Sequence, residues 1–514
     1  MCELRVGELF SDNMVLQQKQ PINIWGTGTP GNEVSVEIQD VYGTCRVDKK
    51  GKWYMTISPL SVGRHLQIRV KSGNERIIIN NVSVGEVFIA GGQSNMEFYM
   101  RYDKDFETEI SDCQNEDIHF FDYPVYSNEK AKKIKDFGLF GYWRECNREN
   151  LQYYSAVAYY FVKNLQKHLK IPIGIIGCNC GGTRCCCWMD EESVEKYGKV
   201  WRLDYEKGLE EIQDYEAEET AYLNNSFTDK SRPFDNPVAD RMMYGVSKEE
   251  LEKSFQKMAE SGGNKIGPWH EWRPSGLYHM MVQNIAPYTV KGVIWYQGES
   301  DEEHPDIFAD MIEGLVKCWR REFKQELPFL MVELAPFGEI IGNGGKYYPR
   351  LRDQQVKAAE KLDHVYLVSS GDVGSEYDIH PKEKKPIGER LALAACGHIY
   401  QKEILCDAPV LEKAVKDDNG IEIIMWNSKG LKIVGDSLNA LEIFQIYDYG
   451  GQDKLVERKD YMIRLTEKGF RIELQNSIVS QNKKLKISFA KRPYYQINLY
   501  NEANIPAMPF EIIL

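Results

Sequence analysis

The chain has 514 residues, of which 42% are hydrophobic and 27% charged, and its formal net charge is −13. This length is too great for one hydrophobic core and predicts a globular protein of two to four domains. The negative charge excludes nucleic acid and anionic membranes as expected partners, because the chain would repel phosphate. The first residues lack the basic and apolar segments of a signal peptide, and no apolar run reaches membrane-spanning length. We therefore expect a cytoplasmic protein with no membrane partner.

Both ends of the chain have the alternating pattern of β-strands. Residues 1–84 contain short runs of alternating polar and apolar residues, as at 22–25 and 34–38, and predict an N-terminal β-sandwich. Residues 405–514 return to the same alternation, as at 421–426, and predict a C-terminal β-sandwich.

Residues 85–402 have a different pattern, in which short apolar runs are followed by helical segments. The apolar runs are 84–90, 171–177, 292–296, 328–334 and 364–370. The segments with helical periodicity are 153–170, 306–323, 349–362 and 386–400. Strands that alternate with helices predict an α/β domain built on a doubly wound, mostly parallel sheet. The charged stretch 190–271 predicts a helical insertion in this domain.

A serine directly follows the first apolar run of this domain. The run ends in Gly91 and Gly92, and Ser94 comes two residues later. A strand that ends in a sharp turn presents the next side chain at the carboxyl edge of the sheet, where ligands of open α/β folds bind. Ser94 is therefore a candidate nucleophile, although a serine in this position could also only cap the following helix.

Two histidines in loops are candidate bases for Ser94. His380 follows the last apolar run and lies on the same predicted edge of the sheet, with Asp378 two residues before it. An acidic partner can fix the tautomer of an imidazole and stabilise its protonated form. His304, which follows several acidic residues, is the alternative, and we favour His380 for its position and its aspartate neighbour.

Two further loops offer donors for a developing oxyanion. The second apolar run leads to Gly181 and Gly182, where the lack of a side chain lets backbone N–H groups approach a ligand closely. The third leads to Gln297, whose amide would lie at the same edge. A nucleophile, a base, an acid and two donor groups at four predicted strand ends together indicate a hydrolase that works by acyl transfer.

Five of the twelve cysteines lie between residues 178 and 187. Structural zinc sites use pairs of cysteines in two separated clusters, which this stretch does not provide. We therefore predict no metal site and interpret these cysteines as reduced, small, buried side chains.

Three segments of the chain resemble the sialate O-acetylesterase family of SGNH-type carbohydrate esterases. They are 92–97 (Gly-Gln-Ser-Asn-Met-Glu), 295–301 (Trp-Tyr-Gln-Gly-Glu-Ser-Asp) and 378–381 (Asp-Ile-His-Pro). Residues 9–17 and 498–510 are also similar to the opening and ending segments of that family, so the resemblance covers essentially the whole chain. It implies an SGNH/flavodoxin-like catalytic domain at residues 85–402 that needs no metal or organic cofactor.

The resemblance assigns a role to each site residue. Ser94 would be the nucleophile, His380 the general base and Asp378 the acid that orients it. Because the acid precedes the histidine by three residues in many relatives and by two here, the alternatives to Asp378 are Asp372, Glu299 or no acidic side chain at all.

The same resemblance implies an oxyanion hole. Its donors would be the backbone amides of Ser94 and Gly182 and the side chain of Gln297. The Gly181 amide is the alternative to that of Gly182. Many superfamily members have asparagine at the position of Gln297.

The resemblance implies an acetylated sugar as substrate and hydrolysis of its acetyl ester. A sialic acid carries a carboxylate that needs a cation, and we predict Arg352 for it, with Arg101 and Arg184 as alternatives and Glu299 as a further substrate contact. Acetylated xylan or mannan fragments are neutral and would need no arginine. A non-catalytic carbohydrate-binding protein is the alternative of another class, and the sequence does not indicate the oligomeric state.

Overall fold

The computed structural model describes residues 3–225, 229–245, 247, 249, 250, 253, 256, 265–338, 345–435, 443–448, 454–457, 460–474 and 484–514. The strands of the N-terminal part are β1 (Arg5–Val6), β2 (Val15–Gln17), β3 (Ile22–Thr27), β4 (Glu33–Ile38), β5 (Val41–Arg46), β6 (Lys52–Ile57), β7 (Gly63–Ser72) and β8 (Glu75–Gly92).

The N-terminal strands form two sheets. Strands β1, β3 and β6 make one antiparallel sheet, and β5, β4, β7 and β8 follow one another in the second. Every second residue of β6 is buried, which is the pattern of a sheet with one face on a core. Strand β8 continues beyond these sheets to Gly92. The predicted domain boundary at residue 84 therefore falls inside one unbroken strand, and the buried cores on its two sides are continuous.

The end of β8 lies in the middle of a large mixed sheet. The other members of this sheet are β9 (Asn115–Asp122), β10 (Trp143–Cys146), β11 (Ile173–Asn179), β12 (Gly292–Tyr296), β13 (Phe329–Val332) and β14 (Val365–Val368). Their order is β10-β9-β11-β8-β12-β13-β14, and all neighbours are parallel except β10 and β9. The prediction of an α/β fold is confirmed in this form, as a mixed α/β structure with a large mixed sheet.

Helices connect the parallel strands. The α-helices are Ser94–Glu97, Phe106–Glu109, Glu129–Ile134, Ala156–Leu169, Glu191–Tyr197, Lys199–Glu210, Tyr215–Asn224, Pro237–Tyr244, Gln283–Ile285, Phe308–Phe323, Tyr348–Lys361 and Lys385–Ala394. Helix Ala156–Leu169 begins where the Ser155 hydroxyl accepts a hydrogen bond from the Ala158 backbone N–H, which caps its first turn. Much of the stretch 190–245 is helical, whereas half of residues 248–253 and all of residues 257–264 of the predicted insertion lie outside the described residues. In the described part of the chain we find no helix long and apolar enough to cross a membrane.

The C-terminal part consists of antiparallel sheets with a core of their own. The strands are β15 (Val410–Asp417), β16 (Gly420–Trp426), β17 (Lys432–Ile433), β18 (Phe444–Asp448), β19 (Lys454–Leu455), β20 (Tyr461–Thr466), β21 (Gly469–Leu474), β22 (Leu485–Phe489), β23 (Leu499–Tyr500) and β24 (Phe510–Ile513). Four of them pair in the order β15-β16-β21-β20 and four in the order β19-β18-β22-β24. Apolar residues of both sheets, such as Ile423 and Ile487, share one buried cluster.

Candidate active site

Ser94 lies on a tight turn at the carboxyl end of β8. Gly92 has a φ of 137°, and a Cβ there would lie 2.1 Å from the carbonyl oxygen of Tyr296 on β12, so only glycine fits. The Gln93 backbone N–H then donates to that same carbonyl at 3.0 Å. Ser94 begins the next helix and is partly exposed, and no group in the described part of the chain is hydrogen-bonded to its hydroxyl. The turn therefore presents a free hydroxyl at the edge of the sheet.

The loop after β11 lies against this turn. A Cβ on Gly181 would be 3.3 Å from the Cβ of Ser94, so the two backbones are in close contact. The Gly181 N–H donates to the Glu97 carboxylate at 2.5 Å. Gly182 has a φ of 77°, and no acceptor for its N–H lies among the described residues. Of the two glycine amides, that of Gly182 is thus the one left for a ligand.

Gln297 is buried at the end of β12 and joins two loops. Its Nε2 donates to the Thr183 carbonyl at 3.1 Å and to the Asp301 carboxylate. Its Oε1 is buried without a hydrogen-bond partner in the part that the structure describes. Both amide hydrogens are therefore in use, and one of these bonds would have to open before Gln297 could donate to an oxyanion.

His380 lies in the loop after β14 and is half-buried. The Asp378 Oδ1 accepts from the His380 backbone N–H at 2.8 Å, and its Oδ2 pairs with Lys382 at 2.9 Å. Asp378 therefore holds the backbone of the histidine, and the ring has no hydrogen bond to any described residue. Burial lowers the pKa of His380 to about 3, against the opposing effect of the Asp378 charge. The ring is neutral at pH 7, which is the form a general base needs.

A buried asparagine connects the serine turn to the histidine loop. The Asn95 side-chain amide donates to the Ile379 carbonyl at 3.0 Å and to the Glu299 carboxylate at 2.6 Å. The buried Lys384 donates to the Oδ1 of Asn95 at 2.5 Å. Sequence reasoning missed this network. The position of Asn95 next to the nucleophile was the available signal, whereas Lys384 belongs to a charged run that is typical of a surface.

Of the alternative acids and the alternative base, Asp372 and His304 have partners elsewhere. Arg390 binds both carboxylate oxygens of Asp372, at 2.7 and 2.6 Å, and Tyr500 donates to it at 3.0 Å. The His304 ring bonds to Asp204 at 2.8 Å and packs edge-on against Trp201, with 4.5 Å between the ring centroids. Glu299 is buried beside Asn95, and burial raises its pKa. Of these groups only Glu299 belongs to the network around Ser94 and His380.

A cavity of about 600 Å³ opens beside the Gly182 loop. Its lining residues are Gly182, Arg184, Trp272, Glu299, Ser300, Glu302, Glu303 and Tyr347. Gly182 and Glu299, two of the predicted site residues, thus face the same space.

Arg352 is not among the residues that line this cavity, so the predicted contact between Arg352 and a substrate needs correction. Its side chain is 3% exposed, donates to the Arg492 carbonyl at 2.6 Å and packs over the ring of Tyr495. The guanidinium therefore satisfies buried carbonyls where the C-terminal residues meet the central domain. Of the two alternatives to Arg352, Arg101 packs over Phe234, whereas Arg184 lines the cavity.

The clustered cysteines are buried side chains and form no disulfide among the described residues. Burial raises the pKa of the Cys178 and Cys185 thiols, which keeps them protonated. The Cys187 thiol donates to the Trp272 carbonyl at 3.3 Å, so this stretch supports one wall of the cavity.

One group of three potential metal ligands occurs in the described residues, namely His398, Cys406 and Asp407, and none of the clustered cysteines belongs to it.

Comparison with known proteins points to one class of enzymes. Residues 257–396 match the family model of a carbohydrate esterase, the sialic acid-specific acetylesterase. The fold is similar to the crystal structure of a carbohydrate acetylesterase from Xanthomonas citri, with a TM-score of 0.74 and 23% identity over 99% of both chains.

Two curated relatives are sialate O-acetylesterases. The chain is 25% identical to the sialate O-acetylesterase of Mus musculus over 445 residues, which cover 79% of this chain and 75% of that protein. It is 23% identical to the sialate O-acetylesterase of Homo sapiens over 450 residues, or 80% of this chain and 74% of that protein. The predicted resemblance to the sialate O-acetylesterases is confirmed.

Proposed function

We propose that this protein is a carbohydrate O-acetylesterase that hydrolyses acetyl esters on sugar hydroxyls through a serine acyl-enzyme. Ser94 is the nucleophile and His380 the general base. The similarity to acetylesterases supports the reaction class, and the geometry at the ends of β8, β11 and β14 supports the roles of these residues.

In the first half of the reaction, the Ser94 oxygen attacks the acetyl carbonyl carbon while His380 takes the hydroxyl proton. The backbone amides of Ser94 and Gly182 donate to the resulting oxyanion, and each such donor contributes about 3 kcal/mol to the stability of the transition state. The carbon–oxygen bond to the sugar then breaks, and the protonated His380 gives its proton to the leaving alkoxide.

In the second half, His380 takes a proton from water, and the hydroxide attacks the acetyl-serine. The ester bond to Ser94 breaks, the serine regains a proton from His380, and acetic acid leaves and ionises to acetate in water. The neutral ring of His380 is ready for both proton transfers, and a positioned base contributes roughly 10²–10⁴-fold to the rate.

One observation carries the proposal. The Asn95 amide spans the gap between the serine turn and the histidine loop through its bond to the Ile379 carbonyl at 3.0 Å. Residues 95 and 379 are direct neighbours of the nucleophile and the base, so the two reacting side chains belong to one small region. The parallel order of β11, β8, β12, β13 and β14 supports an SGNH-type arrangement, in which such loops share one edge of the sheet.

Acetate release from 4-nitrophenyl acetate and from acetylated oligosaccharides tests the proposal. Wild type should release acetate, Ser94→Ala should lose at least about a thousandfold in rate, and Ser111→Ala should match wild type, since Ser111 is exposed. Equal background rates for wild type and Ser94→Ala would reject the esterase and favour a carbohydrate-binding protein.

A further inference from the structure

An exposed tryptophan is fixed beside the loop that carries the proposed oxyanion donor. The Trp272 side chain donates through its indole N–H to the Gly181 carbonyl at 3.2 Å, and its backbone N–H donates to the His270 ring at 3.1 Å. A Cβ on Gly182 would lie 2.4 Å from the Trp272 ring, so the indole and the glycine loop are in tight contact. Trp272 is 37% exposed and lines the cavity, so part of this fixed ring is open to a ligand.

A fixed aromatic ring at a cavity wall suits a sugar. One face of a pyranose ring carries only C–H groups, which pack well on the negative face of an indole. Tyr347 adds a second ring to the lining of the same cavity, and its backbone N–H is held by the Glu302 carboxylate at 2.7 Å. Both rings therefore belong to the cavity wall next to the Gly182 loop, where a flat ligand can pack on them.

The charges of the cavity disfavour an anionic sugar. Among the described lining residues, Arg184 is the one cation, and it faces three acids, Glu299, Glu302 and Glu303. Arg184 is already paired with Glu303 at 3.3 Å and stacks over the Trp201 ring at 4.2 Å. A sugar carboxylate would meet an arginine whose charge is compensated and like charges around it. Carboxylates are good acceptors for the hydroxyls of an uncharged sugar.

We infer that this cavity selects uncharged acetylated sugars, such as acetylated xylose or mannose oligosaccharides, and that Trp272 is their stacking surface. The inference rests on the proposed function and narrows its substrate class. Trp272 determines specificity through contact with the sugar, and the Arg184–Glu303 pair acts against a sugar that carries a carboxylate.

The test measures kcat and KM for three esters: acetylated xylotriose, 9-O-acetylated sialic acid and 4-nitrophenyl acetate. For wild type we expect a kcat/KM on xylotriose acetate at least about tenfold above that on the sialic acid ester. Trp272→Ala should raise KM for xylotriose acetate about tenfold and lower kcat/KM for that ester far more than for 4-nitrophenyl acetate, because the aryl ester is too small to use the indole. Trp272→Phe, which retains a ring, should recover most of the loss.

Two more variants test the charge argument and the specificity of the effect. Glu303→Gln frees Arg184 and should raise the kcat/KM on the sialic acid ester relative to xylotriose acetate several-fold. Trp426→Ala changes a tryptophan on β16 that is 59% exposed, and it should leave all three activities unchanged.

Three results would overturn the inference. They are a wild-type preference for the sialic acid ester that Arg184→Gln removes, an equal loss on all three esters in Trp272→Ala, and a Glu303→Gln variant with unchanged selectivity. If instead wild type cleaves none of the esters, the proposed function itself fails. Aryl acetate hydrolysis that depends on Ser94, without the expected sugar preference, rejects the substrate class alone.

Discussion

The side-chain amide of Asn95 donates to the backbone carbonyl of Ile379 at 3.0 Å, although 284 residues separate them in the chain. Asn95 follows the proposed nucleophile and Ile379 precedes the proposed base. Lys384 in turn holds the other side of the Asn95 amide. The distance between Ser94 and His380 therefore depends on one buried asparagine whose hydrogen-bonding groups are all engaged, and such fully satisfied polar networks fix a geometry well.

Breaking this network should lower kcat more than it raises KM. Asn95→Ala removes the bridge, and Lys384→Met leaves the Asn95 carbonyl oxygen unpaired, so each should reduce kcat by roughly 10–10²-fold because the base is misplaced. Steady-state kinetics on 4-nitrophenyl acetate measures the change. Lys385→Met is the matched control, since Lys385 pairs with Glu109 instead, and its kcat should stay at the wild-type value. A wild-type kcat in Asn95→Ala would contradict the positioning role.

The pH dependence of kcat/KM should reflect the low pKa of His380. A general base is active when neutral, so activity falls as pH drops through its pKa. Because burial lowers that pKa to about 3, the fall of kcat/KM on the acid side of its pH profile should lie below about pH 5. A histidine with the ordinary pKa of about 6.5 would place this fall near pH 6.5. A pH–rate profile with circular dichroism measured at each pH separates protonation of His380 from unfolding of the protein. A fall near pH 6.5 in folded protein would contradict the expectation.

The two aspartates near the last strand should have separable roles. Asp378→Asn weakens the hold on the His380 backbone and removes a charge that favours the protonated ring, so kcat should fall by roughly 10–10²-fold and the pKa of His380 should drop further. Asp372→Asn should retain kcat and lower thermal stability, because Asp372 binds Arg390 and Tyr500 rather than the site. The reverse pattern would identify Asp372 as the acid of the triad.

A buried ion pair links the central domain to the C-terminal strands. Arg390 and Asp372 have side chains only 6% and 12% exposed, and Tyr500 of β23 donates to the same carboxylate. Arg390→Met leaves a buried carboxylate without its cation, and we expect a loss of about 3–5 kcal/mol in the free energy of unfolding. The control is Arg471→Met in the exposed pair with Asp417, which should cost less than about 1 kcal/mol. Denaturant titration compares the two, and equal losses would contradict the assignment.

The buried parallel strands were the most predictable part of the fold. The run 292–296 forms β12 with the predicted bounds, because a strand buried on both faces must be apolar along its whole length. Strand β9 was missed since its first residues, Asn115, Glu116 and Asp117, are polar, and the edge strand β10 contains Arg144 and Glu145. The boundary at residue 84 was placed where the pattern changes, but the backbone of β8 runs through that point.

The site was predictable where a motif fixes the backbone and less so where side chains choose partners. Gly92 and the serine turn follow from the strand–glycine–serine pattern, because the close contact with Tyr296 requires a glycine. The direction of a long side chain has no such local signal. Arg352 was therefore predicted to bind substrate, yet it lies in the core, and Lys384, in a run of charges, lies buried on Asn95.

The most direct test of the central claim is to trap the acetyl group on the enzyme. Wild-type protein mixed with an acetylated substrate, quenched within milliseconds and digested, should yield an acetylated peptide with the modification on Ser94. The same experiment with Ser94→Ala should give no acetylated peptide and no acetate above background. Acetylation of a different residue, or acetate release by Ser94→Ala at the wild-type rate, would contradict the account.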